Sequence, residues 1–227
     1  KKIEREKWKK IYKKYKPNTS DINFTLRDLD YDVICKKVHD DVRKKYKNNK
    51  LILIGHSYGS AVVWQFSKMY KKECLFAVIL DGSPLCKKMQ KQFFNKFDKK
   101  NENKIKKYLN TEIKLQNMLQ AIKNKENSNK EINMIYDLIL YHSTKWKIDN
   151  LNNKLYIPTI FIRAIHNNTI KYSKIWNQWS VDERKCIIDN NKPNMYDFKY
   201  QLNAQHFLWH NEIHSKDIIN IIKCKYH

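Results

Sequence analysis

Ser57 is the residue in this chain best placed to do chemistry. It stands in Gly55-His56-Ser57-Tyr58-Gly59, a G-x-S-x-G run between a short apolar segment and a helical pattern. A serine at the apex of a sharp strand-to-helix turn is held in a strained backbone conformation that costs about 1–3 kcal/mol. The turn lifts the hydroxyl out of the sheet and aims the next N–H, that of Tyr58, at a developing oxyanion. Gly55 and Gly59 are expected to be bare because strand and helix pack closely across them. Chance does not explain the run. With three glycines in 227 residues, a chain of this composition contains such a motif roughly 0.002 times. The bland alternative is a tight turn with an incidental serine.

A serine hydroxyl is a weak nucleophile until a base takes its proton. Of the eight histidines, His206 is preferred. It lies in Asn203-Ala204-Gln205-His206-Phe207-Leu208, after the last strand-like stretch and before a helical one, where a loop can return an imidazole over the strand ends. His210 and His214 are fallback choices, and His56, inside the turn, is expected to pack or hydrogen-bond locally. Asp81, in Leu80-Asp81-Gly82-Ser83, ends an apolar run. A carboxylate at the end of a buried strand needs a partner, which an incoming imidazole would supply. Its ordinary alternative is a turn-capping Asp beside glycine.

The elements that would position these groups alternate. Thr25 to about Lys45 reads as a helix, with Leu26, Leu29, Val33, Ile34, Val38 and Val42 forming a buried face. Leu51–Ile54 reads as a buried parallel strand, Ser60–Tyr70 as a helix, and Leu75–Leu80 as a second buried strand. From Cys86 to Asn150 the chain is Lys/Asn-rich and helical by pattern. Its three apolar faces are carried by Met89, Phe93, Phe94 and Phe97, by Ile113 to Ile122, and by Ile132 to Leu140. A strand over Tyr156–Ile162, another within Tyr196–Leu202 and a closing helix over Ile213–Ile222 follow. The order predicts an α/β doubly wound, mostly parallel sheet with a helical cap insertion. The division is 1–85 for the first part of the core with the serine turn, 86–150 for the cap, and 151–227 for the rest of the core with His206.

These residues together resemble the α/β-hydrolase superfamily of serine esterases, lipases and thioesterases, from about Thr25 to Ile222. The resemblance implies nucleophile, acid and histidine in that chain order, here Ser57, Asp81 and His206, with the Tyr58 N–H in the oxyanion hole. Most of the family carry the acid after the strand that is here Tyr156–Ile162. This chain reads Arg163-Ala164-Ile165-His166-Asn167-Asn168 there. Pancreatic-type lipases and phosphatase methylesterases carry it where Asp81 stands. Asn167 or Asn168 remains the alternative partner, with Asp182 and Asp149 behind. The family's sheet also begins with strands ahead of the serine, one of them leading into an oxyanion loop that often reads His-Gly. No such pair of strands and no earlier glycine precede Gly55, so the chain is expected to lack the N-terminal strands, or to replace them with residues 1–24.

Composition narrows the classes. Hydrophobic residues at 41% and aromatics at 13% are enough for a core. No apolar run approaches the roughly 20 residues of a membrane span. Five scattered cysteines without CxxC spacing argue against a disulfide framework or a zinc site. No cofactor and no metal are expected. Residues 1–16 lack the apolar core of a signal peptide, which favours a cytoplasmic location. The net charge of +23 could attract nucleic acid or an anionic membrane surface. Only five of the basic residues are arginine, however, and lysine is spread through every polar segment, often beside asparagine. That pattern reads as a solvated basic face rather than a specific nucleic-acid site. The expected activity is hydrolysis of a small-molecule or lipid ester. The alternative is a catalytically degenerate hydrolase fold acting as a basic binding module.

Overall fold

The computed structural model describes residues 30–92, 129–165, 173–202, 206, 208 and 212–226. In chain order these form α1 (Tyr31–Lys45), β1 (Leu51–His56), α2 (Gly59–Met69), β2 (Cys74–Leu80), α3 (Asn129–Asn150), β3 (Thr159–Ile165), α4 (Ser173–Asn190), β4 (Tyr196–Leu202) and α5 (Glu212–Tyr226). The four strands make one all-parallel sheet in the order β1-β2-β3-β4. Each strand therefore joins its neighbour through a crossover, as parallel pairing requires.

Strand alternation sends side chains to two cores. Ala77, Ile79 and Phe161 face one side, where Tyr31 of α1, Ala61 and Trp64 of α2, and Ile187 of α4 bury them. Phe76, Val78, Leu80, Ile160 and Ile162 face the other side, with Leu208 and, from α5, Ile218. Helices cover both faces, so the sheet is doubly wound.

Several expectations shift. The buried residues of α1 are Tyr31 and Cys35, while Val38 is 42% exposed. Its apolar stripe is thus rotated from the predicted one, because the Tyr31 ring packs on Tyr58 and Trp146 and fixes the helix's facing. Strand β1 is only partly buried, with Ile54 54% exposed, since no described strand lies on its outer side. Strand β3 starts three residues later than read from the sequence, at Thr159. Tyr156 and Ile157 pack as a loop on the core, and Pro158 stays outside the strand while its carbonyl accepts from Ala77 N at 2.9 Å. Helix α4 had no counterpart in the sequence reading. The segment before residue 30, with Thr25, Leu26 and Leu29, lies outside the described residues, as do Phe93, Phe94, Phe97 and the Ile113–Ile122 face.

Helix α3 is tied to the serine turn through Tyr31, whose hydroxyl meets Ser143 Oγ at 2.7 Å. His142 Nε2 and Asp30 Oδ1, 2.7 Å apart, add a second tie to the start of α1. Lys147 follows Ser143 by one helical turn and so lies on the same face.

Candidate active site

The C-terminal ends of β1 and β2 carry the site. Strand β1 turns into α2 at Ser57, whose φ is 51°, a left-handed value that serine seldom adopts. The turn is over-determined by its bonds. Ser57 N donates to Leu80 O at 3.2 Å, and Ser57 O accepts from Ser83 N at 3.1 Å, Ser60 N at 3.2 Å and Ser60 Oγ at 2.8 Å. Gly55 is required here: a Cβ on it would lie 2.6 Å from Gly59 O and 2.7 Å from Val63 Cγ2. The expectation for Gly59 is corrected, because a Cβ there would meet nothing within 4 Å. What approaches Gly55 is the backbone of residue 59, so the crowding falls on one glycine of the pair.

Asp81 repeats the device one strand over. Its φ is 40°, and its N–H donates to Ile162 O at 2.8 Å. The carboxylate is fully buried. Oδ1 accepts from Ala164 N at 3.2 Å, and Oδ2 lies 2.7 Å from His206 Nδ1. A proton on Nδ1 donated to Asp81 leaves the imidazole lone pair on Nε2, the tautomer a general base needs. His206 is partly exposed, so its other edge is reachable. It also sits on the serine turn itself: its ring lies 4.5 Å from that of His56, and its carbonyl accepts from His56 Nε2 at 2.9 Å. Ser57, Asp81 and His206 are thus brought to one end of the sheet. His56, expected to bond locally, instead holds the histidine loop.

The other named residues lie elsewhere. Asp182 is exposed on α4 beside Gln178, and Asp149 is exposed near the end of α3. His214 lies in the first turn of α5. Asn167, Asn168 and His210 fall outside the described residues. Among the described residues no group of three or more His, Cys, Asp or Glu is placed to hold a metal ion, and no helix is long and apolar enough to cross a membrane.

Three charged residues and one glycine around the site escaped the sequence reading. Arg163 and Glu183 are buried and ion-paired behind the Asp81 loop. Arg163 Nη1 also donates to Gly82 O, and Glu183 Oε1 accepts from Leu85 N at 2.8 Å. Burial pushes the Glu183 carboxyl up, against the pull of Arg163 and of the Leu85 N–H. Lys147 is buried too, and donates to Ser83 Oγ at 3.1 Å, which lies 3.2 Å from Ser60 Oγ. Gly82 was the missed glycine: a Cβ there would lie 2.5 Å from Ser60 Cβ. The only sequence signal was its place beside Asp81.

No protein-family model and no curated protein sequence matches the chain. Solved structures do. An epoxide hydrolase from Bacillus megaterium, bound to an inhibitor, superposes with a TM-score of 0.53 at 14% identity, covering 89% of this chain and 78% of that one. MGS-MChE2, an α/β-hydrolase enzyme from the metagenome of lagoon sediments at Mar Chica, Morocco, gives 0.50 at 12% identity, over 87% and 71%. The chain has an α/β-hydrolase fold. The parallel sheet with helices on both faces is the architecture it shares with these neighbours.

Proposed function

We propose that the chain is a serine hydrolase that cleaves carboxylic esters or thioesters, lipid esters included, through an acyl-enzyme. The observation that carries this reading is the 2.7 Å contact between His206 Nδ1 and the fully buried Asp81 carboxylate, beside a serine held at a φ of 51°. A buried carboxylate whose partner is an imidazole resting on a strained serine turn has a ready chemical use.

In this reading Ser57 Oγ attacks the acyl carbonyl and His206 Nε2 takes its proton. Asp81 keeps the imidazole in the productive tautomer and stabilises the imidazolium. The Tyr58 N–H donates to the oxyanion of the tetrahedral intermediate. The imidazolium then protonates the departing alkoxide or thiolate. Water, activated by the same nitrogen, releases the carboxylic acid and restores Ser57. The segment 86–150, read from the sequence as a helical cap, would cover an acyl or aromatic group.

A fluorophosphonate probe tests the reading directly. The wild-type protein should be labelled, and Ser57→Ala should abolish labelling. On p-nitrophenyl acetate, His206→Ala and Asp81→Asn should each lower kcat by about 10⁴ without unfolding the protein. A folded wild type that stays unlabelled and instead binds RNA with a steep salt dependence would make the chain a basic binding module, the role its +23 charge favours.

A further inference from the structure

Behind the serine turn runs a line of hydrogen bonds that ends on a buried cation. Lys147 Nζ donates to Ser83 Oγ at 3.1 Å, Ser83 Oγ lies 3.2 Å from Ser60 Oγ, and Ser60 Oγ donates to Ser57 O at 2.8 Å. Donor counting sets the direction. Lysine's ammonium can only donate, so Ser83 Oγ accepts from it and its own proton is available to Ser60 Oγ. Ser60 Oγ has two carbonyls within reach, Ser57 O at 2.8 Å and Ser83 O at 3.1 Å, and its single proton goes to the nearer, that of Ser57. Every link then points from the charge toward that carbonyl.

The Ser57 carbonyl shares a peptide unit with the Tyr58 N–H. Peptide resonance couples the two ends: hydrogen bonds into the oxygen increase the double-bond character of C–N and the acidity of N–H. Three donors already converge on this oxygen, from Ser60 N, Ser60 Oγ and Ser83 N. A charged group at the head of the line strengthens them, because linked hydrogen bonds polarise one another in a poorly screened interior.

Lys147 is 3% exposed, and among the described residues the hydrogen-bond partner of its ammonium is a neutral hydroxyl. Burial with so little compensation opposes the charged form and holds the amine below its usual range, at about 8. A merely structural position would be better filled by an apolar side chain.

We propose that Lys147 is a positioning residue which, through Ser83 and Ser60, polarises the Ser57–Tyr58 peptide and makes the Tyr58 N–H a stronger oxyanion donor. The inference rests on Ser57 being the nucleophile, and deepens that reading.

The test compares wild type, Lys147→Met, Ser60→Ala and the double variant on p-nitrophenyl acetate, with thermal melting run alongside. Methionine keeps the length of the side chain without the charge, and alanine keeps the Cβ that packs on Gly82. Each single variant should lose about tenfold in kcat, less than the loss of a whole oxyanion donor, with KM within twofold. The double variant should be no worse than the more damaged single one, since both cut the same line. Folded Lys147→Met with wild-type kcat overturns the relay and leaves Ser57 untouched. Multiplicative losses in the double variant overturn it as well. A wild type inert to both ester and fluorophosphonate overturns the relay together with the hydrolase reading.

Discussion

Two buried cations flank the loop that carries Asp81, and they are treated in opposite ways. Arg163, on β3, has a carboxylate, a backbone carbonyl and an aromatic ring around it: Glu183, Gly82 O and Phe161. Among the described residues the ammonium of Lys147, on α3, meets one serine hydroxyl. Both are 3% exposed. The paired cation braces the loop, because Glu183 also takes the Leu85 N–H and so joins α4, β3 and the segment after β2. The other carries a charge that meets no carboxylate among the described residues, at the end of a line of hydroxyls leading to the serine turn. One arrangement serves stability and the other opposes it, which is the distribution expected when a functional site draws on the rest of the molecule.

The comparison breaks first at Glu183. Glu183→Ala leaves the Arg163 guanidinium buried without its carboxylate and should cost about 3–5 kcal/mol in urea denaturation. Replacing both partners by apolar residues, Arg163→Met with Glu183→Leu, should recover most of that loss. If Glu183→Ala costs less than about 1 kcal/mol, the pair is no brace and the contrast with Lys147 disappears.

Lys147 should behave the other way round. Its amine lies at about 8 in the folded protein against 10.5 when unperturbed. Below pH 8 both folded and unfolded chains hold the proton, and the penalty of the buried charge is fully present. Between pH 8 and 10.5 the unfolded chain still binds a proton that the native protein has released, so this group makes stability rise with pH. The gap corresponds to about 3 kcal/mol. Lys147→Met should therefore be more stable than wild type near pH 7, with the difference shrinking as pH approaches 10. A parallel offset at every pH would show that the amine titrates normally. Greater stability together with lower kcat is the combination that separates a positioning role from plain packing.

Neither cation was legible in the sequence. Lys147 lies in Lys145-Trp146-Lys147, a stretch that looks solvated, and Arg163 has its carboxylate 20 residues away in Asp182-Glu183-Arg184-Lys185, which looks solvated too; only the fold brings Ser83 to the one and Glu183 and Gly82 to the other. Helix α4 was hidden for the same reason: its buried face includes Glu183, so its apolar period is broken by the charge it buries. Strand β2 and strand β4 could be read because their signals are local, an unbroken apolar run ending at Asp81-Gly82 and a short alternation of aromatics. The serine turn was readable because its chemistry is written in five consecutive residues. The 125-residue separation of His206 from Asp81 is not written anywhere in the chain. It follows from the fold's rule that strand ends gather at one edge.

The smallest expected effect concerns the two glycines of the motif, which the sequence treats alike and the structure does not. A methyl group on Gly55 would collide with the residue 59 carbonyl and the Val63 side chain, at 2.6 and 2.7 Å. Backbone and β-branched atoms yield poorly, so Gly55→Ala should cost about 1–3 kcal/mol and disturb the serine. On Gly59 the same methyl meets open space, and no glycine here has a positive φ. Residue 59 begins α2, where alanine restricts the unfolded chain more than glycine does. Gly59→Ala should therefore be neutral or gain about 0.4–1 kcal/mol, with ester hydrolysis retained. Melting curves and p-nitrophenyl acetate turnover for the two variants decide the matter. If they lose stability equally, the space seen at residue 59 is filled in the folded protein, and the turn needs both glycines.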